Sequence, residues 1–280
     1  PSPGEPTDAV QTCSPRWTWK LSDSRPLFTS GAVLNAASLT SVVGENCRAC
    51  LIGYNLRAEK PQDITITVNG TPANVILPLP SPNVGRGVLL PDRVYFHIPN
   101  EMNLLAHGDV PFDLTVSIGG RVGKTKVDLR RTTNTPAIFV YSFLEVRERQ
   151  FLDDAPAYAH DDDQNLNFPR QPARLGGRVT LYVTGIRDET LKTDFRAFVD
   201  GREAQVVDAK ADPLNAAGVH CVTIVIPNEV DPSNNVPVTL HVGGRVSNRA
   251  VIAIYKEVDV PLLPPLIKAD EGRKWIFGLA

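Results

Sequence analysis

The chain is predicted to be all-β, two antiparallel sandwiches in tandem with extended N- and C-terminal arms, and three observations predict it. The first is an internal duplication. Val94-Tyr95-Phe96-His97-Ile98-Pro99-Asn100-Glu101 returns as Val222-Thr223-Ile224-Val225-Ile226-Pro227-Asn228-Glu229, and Val116-Ser117-Ile118-Gly119-Gly120-Arg121-Val122 returns as Leu240-His241-Val242-Gly243-Gly244-Arg245-Val246. Asn55-Leu56-Arg57 and Val68-Asn69-Gly70 return in the same order as Gly185-Ile186-Arg187 and Val199-Asp200-Gly201. Ordered blocks at kept spacing mark two copies of one unit. The second observation is period-two alternation of apolar residues within those blocks, the pattern of half-buried strands. The third is composition: 24 prolines and 20 glycines against a single methionine suit many short strands and turns better than helices.

The 280 residues divide into an N-terminal extension (1–30), a first unit (31–143), a second unit (144–256) and a C-terminal extension (257–280). In the first unit Ile64, Ile66 and Val68 alternate with Thr65 and Thr67, and Asn69-Gly70 supplies the two positive-φ residues of a tight hairpin. Phe195, Ala197 and Val199 precede Asp200-Gly201 in the same way. The next strand is matched as Ala73-Asn74-Val75 and Ala204-Gln205-Val206. Val94, Phe96 and Ile98, with Val222, Ile224 and Ile226, form a third strand facing inward. The proline after it stops the ladder because it has no N–H. A fourth strand ends at the Gly-Gly turn. Short strands at this spacing, with no helical period between them, give a sandwich of the immunoglobulin-like class.

These residues also carry a resemblance. Leu34-Asn35-Ala36-Ala37-Ser38, Gly53-Tyr54-Asn55-Leu56, Val68-Asn69-Gly70-Thr71-Pro72-Ala73 and Thr135-Pro136-Ala137-Ile138-Phe139 resemble the first half of the Solibacter-type uncharacterised C-terminal domain, a module of secreted and surface proteins of acidobacteria. Asp163-Gln164-Asn165-Leu166-Asn167, Leu181-Tyr182-Val183-Thr184-Gly185 and Val199-Asp200-Gly201-Arg202 resemble its second half, and each half is similar to the IPT/TIG immunoglobulin-like fold. The resemblance covers about residues 31–256 and implies a secreted, non-enzymatic module with no catalytic residues to carry over. Cys47 and Cys50 depart from it, standing where the family has a glycine-plus-aliphatic entry to the strand.

Bulk properties exclude several roles. A net charge of −2 gives no basic field for nucleic acid or an anionic membrane. No apolar run approaches the roughly 20 residues that span a bilayer, and no signal peptide is present, although a mature chain would have lost one. Gly119-Gly120-Arg121-Val122-Gly123-Lys124-Thr125 looks like a phosphate loop, but Ile118 stands where the motif needs glycine and Lys126-Val127-Asp128-Leu129 continues as a strand. It reads as a hairpin turn. The histidines His97, His107, His160, His220 and His241 lack metal-ligand spacing, and His220 and Cys221 should face opposite sides of one strand. Asn100-Glu101 and Asn228-Glu229 read as turn residues.

Asp161, Asp163 and Asn165 alternate oxygen ligands as calcium loops do, yet Leu166 and Pro172 occupy the places of the loop glycine and glutamate. A solvated acidic linker is the plainer reading, and a calcium site completed from elsewhere in the fold is the alternative. No other cofactor is expected. Of the four cysteines, Cys13, Cys47 and Cys50 are disulfide candidates, with Cys13 expected to bond Cys47 or Cys50. Strand parity leaves Cys50 on the outer face within reach of the N-terminal arm. Cys221 reads as outward-facing and unpaired.

All three tryptophans lie outside the repeats: Trp17 and Trp19 near the N-terminus and Trp275 near the C-terminus. Trp17-Thr18-Trp19 alternates like an added strand, and the apolar Leu262, Leu263, Leu266 and Ile267, followed by Trp275, Ile276 and Phe277, suit an extended segment lying along a neighbour. The alternative is that both arms fold back over their own domains. The expected role is therefore a non-enzymatic extracytoplasmic structural or interaction protein, periplasmic, surface-bound or secreted. It would dock through its arms onto other protein subunits of a membrane-associated complex or a filament of like subunits. The alternative is a carbohydrate- or calcium-binding module on the same sandwiches.

Overall fold

In the computed structural model the described residues are 24–79, 91–99, 102, 111–130, 134–140, 155–212 and 217–255. The first unit contains β1 (Val33–Asn35), β2 (Cys47–Gly53), β3 (Ile64–Val68), β4 (Thr71–Leu79), β5 (Asp92–Ile98), β6 (Phe112–Ile118) and β7 (Arg121–Val127). Hydrogen bonding runs in the order β1-β2-β5-β4-β3-β6-β7. β4 belongs to two layers: Thr71 to Ala73 pair with β3, and the strand then passes to β5 through a bulge between Val75 and Leu77. A bulge bends a strand and raises its twist, which lets one strand turn the corner of a sandwich. The inward residues of both layers, among them Leu51, Ile66, Phe96, Leu114 and Val116, form a single core.

The second unit repeats the plan. It comprises β8 (Ala137–Ile138), β9 (Ala155–Pro156), β10 (Ala159–His160), β11 (Ala173–Arg174), β12 (Arg178–Thr184), β13 (Phe195–Val199), β14 (Arg202–Ala211), β15 (His220–Val225), β16 (Val236–Val242), β17 (Arg245–Val246), β18 (Ala250–Ile252) and β19 (Ile254–Tyr255). Its main order is β10-β12-β15-β14-β13-β16-β18-β9, with β17 on β16, β8 on β12 and a small β11-β19 pair apart. β14 turns the corner as β4 does, with its bulge between Val206 and Asp208. The bulged residues Ile76 and Val207 follow the matched Val75 and Val206, so the duplication extends to an irregularity of the backbone.

Local chemistry explains the turns. Asn69, Gly70, Asp200 and Gly201 have φ of 49°, 81°, 50° and 72°, and the two Gly-Gly turns are likewise left-handed. These are the two consecutive positive-φ residues that a tight hairpin demands. Gly119-Gly120 joins β6 to β7, and Lys124 and Thr125 lie within β7, as the hairpin reading expects. Val94, Phe96, Ile98, Val222, Ile224 and Ile226 are completely buried. A six-residue helix, α1 (Asp188–Thr193), stands between β12 and β13, where no helical period was read. Its apolar content is one leucine, too little to show a period.

One segment changes sides. The sequence reading sets Thr135 to Phe139 at the close of the first unit. The backbone of Ala137 and Ile138 instead pairs with Thr184 and Val183 of β12, and Thr135 donates to Gly185 O at 2.8 Å. Its side chains belong to the second unit's clusters, where Ile138 lies in the main core and Phe139 against Tyr158 and Tyr182.

Candidate functional site

The most elaborate polar site among the described residues lies where the outer face of the β2-β5 layer meets the outer face of the β12-β15 layer. Period two points Arg48 and Cys50 away from the first core, yet both are completely buried. The second sandwich covers Arg48. Ala37 of the first unit packs into a second-unit cluster containing Tyr158, Tyr182, Leu166, Val219 and Cys221. The rings of Tyr158 and Tyr182 are 4.9 Å apart in that cluster. The main-chain N–H of Arg48 donates to Thr184 Oγ1 at 2.8 Å, and that hydroxyl donates to Gly218 O at 2.5 Å.

Charges cross the junction in both directions. Arg187 of the second unit forms an ion pair with Glu45 of the first, whose side chain has no exposure. Arg48 faces the buried Asp212 of the second unit; burial lowers the guanidinium pKa to about 10, while Tyr95 and Asp212 oppose that shift. Asn46 ties the same surface: its main-chain carbonyl accepts from Gly185 N at 3.1 Å, its amide nitrogen donates to Ile186 O, and its Oδ1 lies 3.1 Å from His97 Nε2. Gly218, at φ 70°, presses against His97, where a Cβ would come within 2.4 Å of the ring. A side chain there would force the ring to shift and would be strained at that φ.

The duplication accounts for the crossing ion pair. Arg57 and Arg187 are equivalent, and Arg57 stays within its own unit, 3.2 Å from Asp92. The position equivalent to Asp92 in the second copy is His220, which pairs instead with Asp188 at 2.8 Å. Arg187 thus has no carboxylate at the inherited place and reaches across to Glu45. Comparing the two copies at that position was a sequence signal that Arg187 lacks the inherited partner; sequence reasoning did not single out Glu45, Asn46, Arg48, Thr184, Arg187 or Asp212.

A disulfide is not shown at the two candidate positions that are described. Cys47 and Cys50 are free thiols and buried, and Cys221 is buried as well. Burial pushes the Cys47 and Cys50 thiols up to about 12, so they stay protonated and are poor nucleophiles at neutral pH. Cys50 does face outward from the first core, yet it is completely buried, beside Arg93 and Tyr95 of its own unit. Cys221 also faces outward and is buried in the cluster that Ala37 enters, its thiol 3.5 Å from Asp212 Oδ1. Cys13, His107, Asn100-Glu101 and the arm residues Trp17, Trp19, Leu262, Leu263, Leu266, Ile267, Trp275, Ile276 and Phe277 lie outside the described residues.

The acidic loop closes upon itself. Asp161 Oδ1 accepts from Asn165 N at 2.8 Å and its Oδ2 from Asn165 Nδ2 at 3.2 Å, and Gln164 takes φ 62° to allow it. No group of three or more His, Cys, Asp or Glu side chains able to hold a metal occurs among the described residues. A shallow open hollow of about 250 Å³ is lined by Ser24, Asn55, Arg57, Ile118, Gly119 and Arg121. Within it Arg57 is bound to Asp92 and Arg121 donates to Ser24 O at 3.4 Å. No helix of the described residues is long and apolar enough to cross a membrane.

No protein-family model and no curated protein matches the chain. Among solved structures it is similar to a tandem of domains from titin, at 10% identity and a TM-score of 0.23, covering 83% of this chain and 66% of that one. It is similar to a protein named SGBP-B from a complex xyloglucan utilization locus in Bacteroides uniformis, at 12% identity and 0.26, covering 81% and 49%. It is also similar to domains 5–6 of the S-layer protein SbsC, at 13% identity and 0.25, covering 84% and 100%. The chain spans two thirds or less of the first two. The architecture stands on the chain's own strands and registers: two immunoglobulin-like sandwiches in tandem.

Proposed function

We propose that the chain is a non-enzymatic extracytoplasmic structural or interaction module, a rigid pair of sandwiches that presents its terminal arms to other subunits of a surface, filament or envelope-associated complex. The observation that supports this reading is the junction. Flexible tandems join sandwiches by a linker with few contacts, whereas here charged residues from both units are buried together, hydrogen-bonded across, and sealed by an apolar cluster. Desolvated ion pairs add little net stability, but they penalise every other orientation of the two bodies. A fixed orientation matters to a scaffold that must hold two ends in a set relation. The buried thiols and the self-satisfied acidic loop leave those groups engaged in structure, which favours a role in binding over one in turnover. The family resemblance, which implies a secreted module, is part of the same reading.

Co-purification of the tagged full chain from its native source, after chemical cross-linking, tests the proposal. Recovery of defined protein partners, lost on deleting residues 257–280 while circular dichroism shows an unchanged β-sheet signal, is the expected result. Normal assembly by the truncated chain would overturn the role of the C-terminal arm, and recovery of the chain alone would overturn the docking reading.

A further inference from the structure

The two copies bury matching residues but differ on one outward face. In the first sandwich the outward positions of β3 and β6 are Thr65, Thr67, Thr115 and Ser117, paired as Thr65 with Ser117 and Thr67 with Thr115. Small hydroxyl residues are what a solvated strand face accepts readily. In the second sandwich the same register positions on β13 and β16 hold Arg196, His241, Phe198 and Thr239. Whatever the fold requires of this face is met by hydroxyls in the first copy, so the aromatic ring, the imidazole and the guanidinium have some other use.

Those three side chains gather. The Phe198 and His241 rings are 4.4 Å apart between centroids and tilted by 46°, although their backbones are only diagonal neighbours. The Arg196 guanidinium lies 5.9 Å from the centre of the Phe198 ring. Among the described residues Arg196 is engaged with that ring alone and His241 by stacking alone. Arg196 is exposed and both rings are half-buried, so the donors are open to solvent while the ring is held in place. Glu203, also exposed, pairs in register with Phe198 from β14, across β13 from His241.

We propose that this cluster binds a saccharide carrying an acidic group, either a uronate carboxylate or a sulfate ester. The Phe198 ring supplies the apolar plane that the C–H face of a pyranose packs against, as aromatic rings do in ligand sites. Arg196 supplies a planar fork of donors that fits a carboxylate or sulfate, and His241 supplies a further polar contact. Glu203, across β13 from His241, can accept a sugar hydroxyl. Size decides between a saccharide and a protein partner. The large apolar residues exposed among the described residues are Val42, Val122, Val207 and Val246, and of these only Val246 lies beside the cluster, opposite His241. A stable protein interface requires a broad apolar centre, on the order of 800 Å² per partner. One aromatic ring rimmed by polar groups fits one or two sugar rings.

This site is independent of the terminal arms and of the docking reading. Affinity electrophoresis of the full chain through gels containing polygalacturonate, dextran sulfate or neutral dextran tests it, with polyglutamate as a polyanion that is not a saccharide. The expected result is retardation by polygalacturonate or dextran sulfate, which tells carboxylate from sulfate, and none by dextran or polyglutamate. Phe198→Thr and Arg196→Thr write the first copy's residues into the second and should each weaken binding about tenfold, the scale of one charge-assisted contact. Arg121→Thr, in the hollow of the first sandwich, should leave it unchanged. Should Phe198→Thr lose its fold, the exposed Arg196→Thr carries the same test. Absence of retardation in both acidic gels, equal retardation by polyglutamate, or undiminished binding by the folded variants would each overturn the proposal, and none of these outcomes would alter recovery of protein partners.

Discussion

Removing the guanidinium of Arg187 isolates the junction's contribution. Glu45 has no exposed side-chain surface and Arg187 only 28%. In Arg187→Ala the Glu45 carboxylate is left without its ion-pair partner at a position with no side-chain exposure, which costs free energy. Breaking a fully buried pair by deleting one member costs about 3–5 kcal/mol. Because water reaches part of Arg187, the low end, about 3 kcal/mol, is expected here. That is a substantial part of the roughly 5–15 kcal/mol that holds a domain folded. The Arg187 main-chain N–H still donates to Asn134 Oδ1 at 3.1 Å, so the loss is confined to the pair. Urea unfolding followed by circular dichroism should show one transition for the parent chain and, for Arg187→Ala, an earlier onset and separation into two. Glu45→Gln combined with Arg187→Gln removes both charges and should recover at least half of the loss. Arg187→Ala within about 0.5 kcal/mol of the parent, the range of ordinary surface substitutions, would refute the junction as described. A double variant no better than the single one would show that lost packing, and not an orphaned charge, is responsible.

Four further outcomes follow from the core and its close contacts. Phe96→Ala, at a completely buried position, should cost about 3–5 kcal/mol by urea denaturation, and a cost under about 1 kcal/mol would remove Phe96 from the core. Burial raises the Cys47 and Cys50 thiols from 9.0 to about 12, so the unfolded chain loses these protons at lower pH than the native one, and native stability should fall as pH climbs from 9 toward 12. The same thiols should resist iodoacetamide at pH 8 in the native protein and react in denaturant, with mass spectrometry counting the adducts. Gly123→Ala should destabilise the first sandwich, because its Cβ would sit 2.3 Å from Pro26 O. A melting temperature equal to the parent's would show that the Ser24 to Phe28 segment can yield.

What was legible in the sequence was local. Asn69-Gly70, Asp200-Gly201 and the two Gly-Gly pairs announce their turns because positive φ is demanded of those residues themselves. Alternation along β5 and β15 announces which side chains share a face. It does not reveal whether another body covers the opposite face. Arg48, Cys50, Tyr182 and Cys221 were therefore read as solvent-facing or passed over, although all four are buried. β8 was assigned by sequence continuity, whereas its allegiance follows from hydrogen bonds to β12, 45 or so residues further on, which no local pattern encodes. The exchange of Asp92 for His220 was in plain view within the repeat, and its meaning needed the third dimension to place Glu45 beside Arg187. The arms, where tryptophan content suggested contact with a partner, lie outside the described residues.

Duplication makes the second sandwich its own comparison, and the differences between copies sort by layer. Inward positions differ little, because both cores face the same packing constraint. Divergence concentrates on the outer faces of the second copy. On the β12-β15 layer, Tyr182, Thr184 and Cys221 are buried against neighbouring side chains, the first sandwich among them. On the opposite β13-β16 layer, Arg196, Phe198 and His241 replace threonine and serine and remain accessible. One outer layer of the second sandwich is thus joined to the first unit, and the other is directed away from it. The first unit shows the complementary arrangement: its β2-β5 face makes the junction and its β3-β6 face keeps plain hydroxyls. A flexible link would let the two outward faces point independently, and the polar junction prevents that. The ionic crossing and the aromatic cluster therefore belong to one design, in which the first sandwich acts as a base that fixes where the second one's exposed face points.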